Sequence, residues 1–382
     1  MKIPILSIVG LAIAACIAFT LFITMTDKKD VKAEWSPGVP IEKESVKIGV
    51  IHVSDPENEK SGYAYAHYLG IREMQSEIGL RDDQIIRKIN VSDTDTAATE
   101  LAIRQCIEEG ANIIIATSWW HMDACEKLSG EYPSVIFAHA TGNKHNNTNF
   151  TNYFGRIYQA RYLSGIVAGL LTMTNKIGYV AAMGVENSEV TGGIDAFAIG
   201  VESVNPDARV YVQVTYRWLD PAGESRAARE LIAERCDVIA QHCNTPNPQI
   251  EAQRAGVWGI GFNSDMENDA PDATVVSVVW NWGVYYSYLV KSVINGTFTT
   301  SPYVGDIKNG MVGLSALNER ILPHGVSDAV NAAREKIESG QFGVFDGVME
   351  TNDGKSIGES GKTLSDAEIA GIDWYYRGII QR

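Results

Sequence analysis

The sequence predicts an α/β protein built as two lobes, each a parallel sheet covered by helices, on three grounds. From about Val46 onward, short apolar runs alternate with helical patterns, the order that produces parallel, doubly wound sheets. The length of 382 residues exceeds what a single hydrophobic core usually organises, so two lobes with separate cores are expected. Apolar residues make up 45% and charged residues 21%, close to the average for folded globular chains, which argues against extended disorder or a multi-span membrane protein. The net charge of -15, with no basic cluster, excludes a nucleic-acid partner, because phosphate backbones are bound through grouped Lys and Arg.

At the N-terminus, Met1-Lys2 precedes an uncharged run from Ile3 to Met25, which reads as an export signal or a membrane anchor. Its length favours an uncleaved helix, since about 20 apolar residues cross a bilayer. Ile13-Ala14-Ala15-Cys16 also has the form of a lipoprotein signal box, in which Cys16 becomes the lipidated N-terminus. Both readings tether the chain. Residues 26–45 are polar and carry Pro37 and Pro40, as expected of a linker.

Strands are expected at Val46–Val53, Ile85–Val91, Ile113–Ala116, Val135–Ala138, Ile177–Ala182, Val210–Val214, Val238–Gln241, Gly259–Phe262 and Val275–Val279. Helices are expected at Gly62–Gly79, Ala97–Glu109, Gln159–Thr172, around Ile194–Val204, and at Pro221–Glu234. Ligands of such sheets sit beyond the carboxyl ends of the strands. Those positions are aromatic here: Tyr63 and Tyr65 follow the first strand, Ser118-Trp119-Trp120 the third, Trp218 a later one, and Trp280-Asn281-Trp282 the last. Aromatic faces in a cleft stack on planar heterocycles, at about 1–3 kcal/mol per stacked base. Each ring alone is as readily a core residue; their recurrence at strand ends points to a flat ligand. Asn263-Ser264-Asp265 adds groups able to hydrogen-bond ring edges or ribose hydroxyls, or to cap the next helix.

One enzyme signature competes. Asp93-Thr94-Asp95-Thr96 matches the DxDxT of haloacid-dehalogenase-type, magnesium-dependent phosphatases, where the first Asp attacks phosphate. Thr117 ends a strand, and Asp265 with Asp269 have the spacing of a magnesium-binding pair. The ordinary alternative is a turn and helix cap at Asp93–Thr96. No GxxxxGK[ST] loop, HExxH helix or GxSxG elbow occurs, so the chain reads as no enzyme and as needing no cofactor or metal. The five cysteines, Cys16, Cys106, Cys125, Cys236 and Cys243, lack zinc-type spacing and are expected as buried thiols more than as disulfides. The seven histidines lack ligand spacing; His67 and His121 alone fall near expected cleft loops.

From Val46 to Arg382 the chain resembles the basic-membrane-protein family of ABC-transporter substrate-binding lipoproteins, in particular its purine-binding branch and the related purine nucleoside receptors. The similar segments include Ala138-His139-Ala140-Thr141-Gly142, Tyr153-Phe154-Gly155-Arg156, Arg161-Tyr162-Leu163-Ser164-Gly165, Lys176-Ile177-Gly178-Tyr179-Val180, Ser203-Val204-Asn205-Pro206-Asp207, Ser277–Gly283 and the tail through Asp373-Trp374-Tyr375. The resemblance implies a type I periplasmic-binding-protein fold, with two lobes joined by a three-segment hinge and closing on a ligand for an ABC permease. The expected division is an anchor over 1–25, a linker over 26–45, lobe 1 over 46–155 plus 282–302, lobe 2 over 156–281 plus 303–345, and a C-terminal extension over 346–382 packing on the lobes.

By resemblance, Tyr63 and Trp218 are the aromatic walls and Asn263 replaces an Asp that bonds the ligand. The family's acidic residue near Gly62 is absent, with Lys60 nearby instead, and Trp280 stands where nucleoside receptors carry a Lys. The expected ligand is therefore a purine base or nucleoside, that is adenine, guanine, hypoxanthine or their nucleosides, with the base favoured. The expected site comprises Tyr63, Trp119, Trp218 and Trp280 as aromatic walls, with Ser118, Asn263 and Asp265 selecting the edge. The protein is expected as a monomer on the extracytoplasmic face of the membrane. A ligand sensor or regulator on the same fold is the alternative output.

Overall fold

The computed structural model describes residues 36–382; the expected anchor, Cys16 and the first half of the linker lie outside the described residues. The first sheet holds β1 (Ile48–Ile51), β2 (Ile85–Lys88), β3 (Ile113–Ala116), β4 (Ile136–Ala140), β5 (Phe150–Gly155) and β11 (Tyr303–Gly305), ordered β11-β5-β4-β3-β1-β2 and parallel throughout. The second holds β6 (Lys176–Ala181), β7 (Arg209–Val214), β8 (Val238–His242), β9 (Trp258–Asn263), β10 (Thr274–Trp280), β12 (Val312–Leu314) and β15 (Ile379–Gln381), ordered β12-β10-β9-β8-β6-β7-β15, with β12 alone antiparallel. β13 (Met349–Glu350) and β14 (Ser356–Ile357) form a separate ribbon.

Core strands such as Ile113–Ala116 and Val238–His242 are buried on every residue, as parallel strands covered on both faces must be. The covering helices are α1 (Tyr63–Ile78), α2 (Thr96–Glu108), α3 (Met122–Glu131), α4 (Ile157–Leu171), α5 (Ser188–Val204), α6 (Pro221–Ala233), α7 (Asn247–Ala255), α8 (Trp282–Ile294) and α9 (Val326–Glu338). Each lobe has its own core, one around Ile103, Ile114 and Phe137 and the other around Val180, Leu231 and Ile239. Cys106, Cys125, Cys236 and Cys243 are buried free thiols.

The chain passes between the sheets after β5, after β10 and after β11, and these crossings lie side by side. The Arg156 N–H donates to the Gly305 carbonyl at 2.8 Å, the Asn281 N–H to the Met311 carbonyl at 2.9 Å, and Asn281 Nδ2 to the Gly310 carbonyl at 2.8 Å. The pairing of Tyr303–Gly305 with β5 carries the first sheet past the expected boundary at 302. Within residues 346–382, β15 extends the second sheet beside β7, and the Tyr376 N–H donates to the buried Asp195 carboxylate at 2.8 Å.

Candidate functional site

Residues just past the strands of the two sheets meet. Gly62 precedes α1 with φ +86° and ψ -161°, a conformation open to glycine. Its N–H donates to Ser264 Oγ, which follows β9, at 2.9 Å. A side chain on Gly62 would place its Cβ 2.1 Å from the Asn244 carbonyl oxygen, past β8. Asn244 in turn holds two of the expected residues: its N–H donates to the Trp218 carbonyl at 2.9 Å, and its Oδ1 accepts from Asn263 Nδ2 at 3.1 Å. Asn263 is 1% exposed, has φ +70°, and its Oδ1 has no protein partner. An unpaired buried acceptor costs about 1–3 kcal/mol, so this oxygen is open to a further hydrogen-bond donor.

Tyr63 opens α1 from the first lobe. Its ring stands perpendicular to His67, at 4.5 Å, and to Trp282, at 6.4 Å. Burial pushes its hydroxyl well above the usual tyrosine range, reinforced by the charge of Glu189, while Asp93 is a further neighbour and Thr141 hydrogen-bonds it. Behind it, His67 stacks on Trp282 at 4.4 Å, and its Nδ1 lies 2.5 Å from the Tyr286 hydroxyl. His52, His67, His121 and His139 are all fully buried, and burial keeps their imidazoles neutral, down to about 4 for His52 and His139 and about 3 for His121.

The second lobe supplies Trp218, partly buried, with its ring 5.9 Å from that of His242. His242 Nε2 lies 3.7 Å from Glu189 Oε1, near the start of α5. Arg161, in α4, is fully buried; Nη1 donates to the Gln241 carbonyl at 2.6 Å and the guanidinium lies 3.9 Å from the Phe262 ring centroid. Burial raises the Glu189 carboxyl to about 7 against the pull of Arg161.

Of the expected residues, Asn263 pairs with the Asn244 side chain, Trp218 with the Asn244 N–H through its carbonyl, and Tyr63 follows Gly62, which packs on the Asn244 carbonyl. Ser118 is buried and caps the turn after β3, accepting from the Trp120 N–H at 3.3 Å, with its hydroxyl 3.4 Å from Asp93. Trp119 beside it is 42% exposed. Trp280 is 4% exposed, and its ring has Trp282 stacked at 4.5 Å and Phe154 at 5.3 Å, so it packs the junction between β10 and α8. Asp265 is exposed and caps a turn, accepting from the Glu267 N–H at 3.0 Å. Asn263, Asp265 and Trp280 also line a cavity of about 250 Å³ with Ala66, Gly70 and Glu73 of α1.

The phosphatase alternative does not fit. Asp95 is the N-cap of α2, its Oδ1 accepting from the Ala98 N–H at 3.1 Å, and Ser92 pairs with Thr94 at 3.1 Å. The string is a turn and cap. Among the described residues no group of three His, Cys, Asp or Glu is placed to hold a metal ion.

Sequence reasoning missed Glu189, Asn244, His242 and Arg161. The first three lie at or just past β6 and β8, where the strand-end rule points, but those segments carry no aromatic residue to draw attention. Arg161 sits mid-helix and gives no local signal.

Two helix-covered parallel sheets, a triple crossing between them, and segments past their strand ends in contact at Gly62, Asn244 and Ser264 define a two-lobed ligand-binding protein of the type I periplasmic-binding class. Solved structures share the fold. A solute-binding protein of an ABC transporter system from Conexibacter woesei superposes with TM-score 0.64 at 19% identity, over 78% of this chain and 98% of that one. A transcriptional activator of the comK gene from Bacillus halodurans gives 0.65 at 20%, over 78% and 99%. Residues 46–352 match the Bmp family, described as ABC transporter substrate-binding protein PnrA-like, and the chain belongs to that family. It is thus a non-enzymatic, extracytoplasmic solute-binding component of an ABC transporter. Among curated relatives, a purine-binding protein of Brucella abortus is 30% identical over 88% of this chain and 93% of its own length. A putative ABC transporter glucose-binding protein of Haloferax volcanii is 31% identical over 81% and 76%.

Proposed function

We propose that the protein captures a purine base between its lobes and hands it to an ABC permease. The observation that carries this reading is the meeting of the lobes beside Tyr63 and Trp218: Gly62, next to Tyr63, packs on the half-buried Asn244, which holds the Trp218 carbonyl and the buried Asn263, whose Oδ1 lacks a partner. Aromatic rings favour a planar heterocycle, and a neutral amide both donates and accepts, as the mixed edges of a purine require. The purine-binding relative from Brucella abortus supports the same ligand class. A base is favoured over a nucleoside because Trp280 stands where nucleoside receptors carry a Lys. Permease delivery follows from family membership, and tethering at the membrane rests on the N-terminal apolar run and Cys16.

The putative glucose-binding relative favours a second reading, a sugar ligand stacked on the same rings. Isothermal titration of the full chain in detergent, freed of carried-over ligand, separates the two. Micromolar or tighter binding of adenine, guanine, hypoxanthine or a nucleoside supports the purine reading and decides base against nucleoside. Binding of glucose with silence across the purines replaces it.

A further inference from the structure

Glu189 is the second residue of the seventeen-residue helix α5, whose N-cap is Asn187. It lies past β6 and electrostatically faces Tyr63 of the opposite lobe. Its side chain is 21% exposed, and His242 Nε2 lies 3.7 Å from its carboxyl, beyond hydrogen-bond range. Around it the protein leaves other polar atoms unpaired: His242 Nε2, and Arg161 Nε and Nη2. A largely buried carboxyl beside unpaired donors is costly unless a ligand completes it. None of the roles so far described uses it.

We infer that Glu189 is a specificity-determining residue, whose carboxyl pairs with the edge of the bound purine and selects one that offers an amino group beside a ring nitrogen, as adenine does. This rests on the purine reading above. A protonated carboxyl donates through one oxygen and accepts through the other, matching a ring-nitrogen acceptor beside an amino donor. An ionised one accepts only, matching the two adjacent donors of guanine. Burial favours the protonated form, raising the group to about 7.

The charged or titratable groups facing Glu189 are Arg161 of α4, Tyr179 of β6, His242 of β8 and Tyr63 of α1. Burial depresses the His242 imidazole and raises both tyrosines, so these stay neutral from pH 6 to 8 while Arg161 stays charged. Glu189 is then the group that titrates in this window. The protonated form is present below about 7 and is lost as pH rises through it, so adenine capture weakens with rising pH.

The test is titration of adenine and guanine into the full chain in detergent, at pH 6 and pH 8, for wild type, Glu189→Gln and Glu189→Ala. Wild type is expected to prefer adenine at pH 6 and to lose up to about tenfold in adenine affinity by pH 8. Glu189→Gln, whose amide also donates and accepts, keeps adenine binding and flattens the pH dependence; Glu189→Ala loses about tenfold at pH 6. Preference for guanine at both pH values, undiminished adenine affinity in Glu189→Ala, or an unchanged pH profile in Glu189→Gln overturns the role of Glu189 while leaving purine capture intact. Absence of binding to either base in wild type and variants alike overturns the purine reading itself.

Discussion

The Gly62 N–H and the Ser264 hydroxyl, 202 positions apart, meet in a hydrogen bond of 2.9 Å that ties the start of α1 to the end of β9. The lobes are thus described in contact, and the contact needs a residue without a side chain. A Cβ at position 62 would fall 2.1 Å from the Asn244 carbonyl oxygen, at a φ of +86°. Ligand-driven closure requires that ligand bind the closed form better, and anything that raises the energy of that form lowers affinity by the same amount. Gly62→Ala adds strain of about 1–3 kcal/mol. Its ligand affinity is expected to fall about tenfold or more, with small-angle scattering showing a smaller ligand-induced compaction than wild type. Unchanged affinity and compaction would mean that the Gly62 contact is incidental to closure.

Trp218 and Trp280 separate by role. Trp218→Ala removes a stacking wall and is expected to lower purine affinity by about tenfold or more, at about 1–3 kcal/mol per stacked base, while loss of its ring, partly buried against the second core, costs less stability than loss of that of Trp280. Trp280→Ala removes a ring packed between Trp282 and Phe154 and is expected to cost about 3–5 kcal/mol of stability. Parallel titration and denaturant unfolding of the two variants check the contrast.

Acid sensitivity follows from the histidines behind Tyr63. An ordinary imidazole titrates at 6.5, whereas burial holds His52 and His139 at about 4 and His121 at about 3. Below 6.5 the unfolded chain takes up protons that the folded chain does not, so stability is full above that pH and declines as pH falls toward 4. Urea midpoints measured between pH 7.5 and 4.5 are expected to drop steadily, and His121→Gln is expected to flatten part of the slope.

Arg156 holds the C-terminal segment at the hinge. Its Nε and Nη2 reach both Asp366 oxygens, at 2.8 and 2.7 Å, and Nη1 reaches Asp306 at 3.2 Å. The bidentate geometry orders partly exposed groups, so Arg156→Ala is expected to cost only about 1 kcal/mol. Faster tryptic cleavage after Lys355 or Lys362 is the sharper readout: both side chains are already exposed, and release of the extension frees the backbone around them to enter the protease.

Much of the fold was legible because its signals are local. Ile113-Ile114-Ile115-Ala116 is a short β-branched run between breakers, and it forms β3 at the expected residues. β5 was not expected, because Phe150-Thr151-Asn152-Tyr153 carries polar residues; the structure buries them by pairing Thr151 Oγ1 with the carbonyl of Ser301, 150 positions away, and Asn152 Nδ2 with the Lys144 carbonyl in the preceding loop. Helix α8 was hidden for a related reason, as its largely apolar circumference (Tyr285, Tyr286, Leu289, Val290, Val293 buried) shows no amphipathic stripe. In the site, the aromatic residues at strand ends could be found from pattern. The link between Gly62 and Asn244 could not, since it depends on how the two lobes meet.

The most direct measurement is the crystal structure of the protein with its tightest-binding purine. The purine ring is expected between Tyr63 and Trp218, with a ring-edge donor on Asn263 Oδ1 and the Gly62 to Ser264 hydrogen bond intact. A purine found instead in the cavity beside Glu73 and Trp280, or bound with the lobes apart, would contradict capture between the aromatic walls.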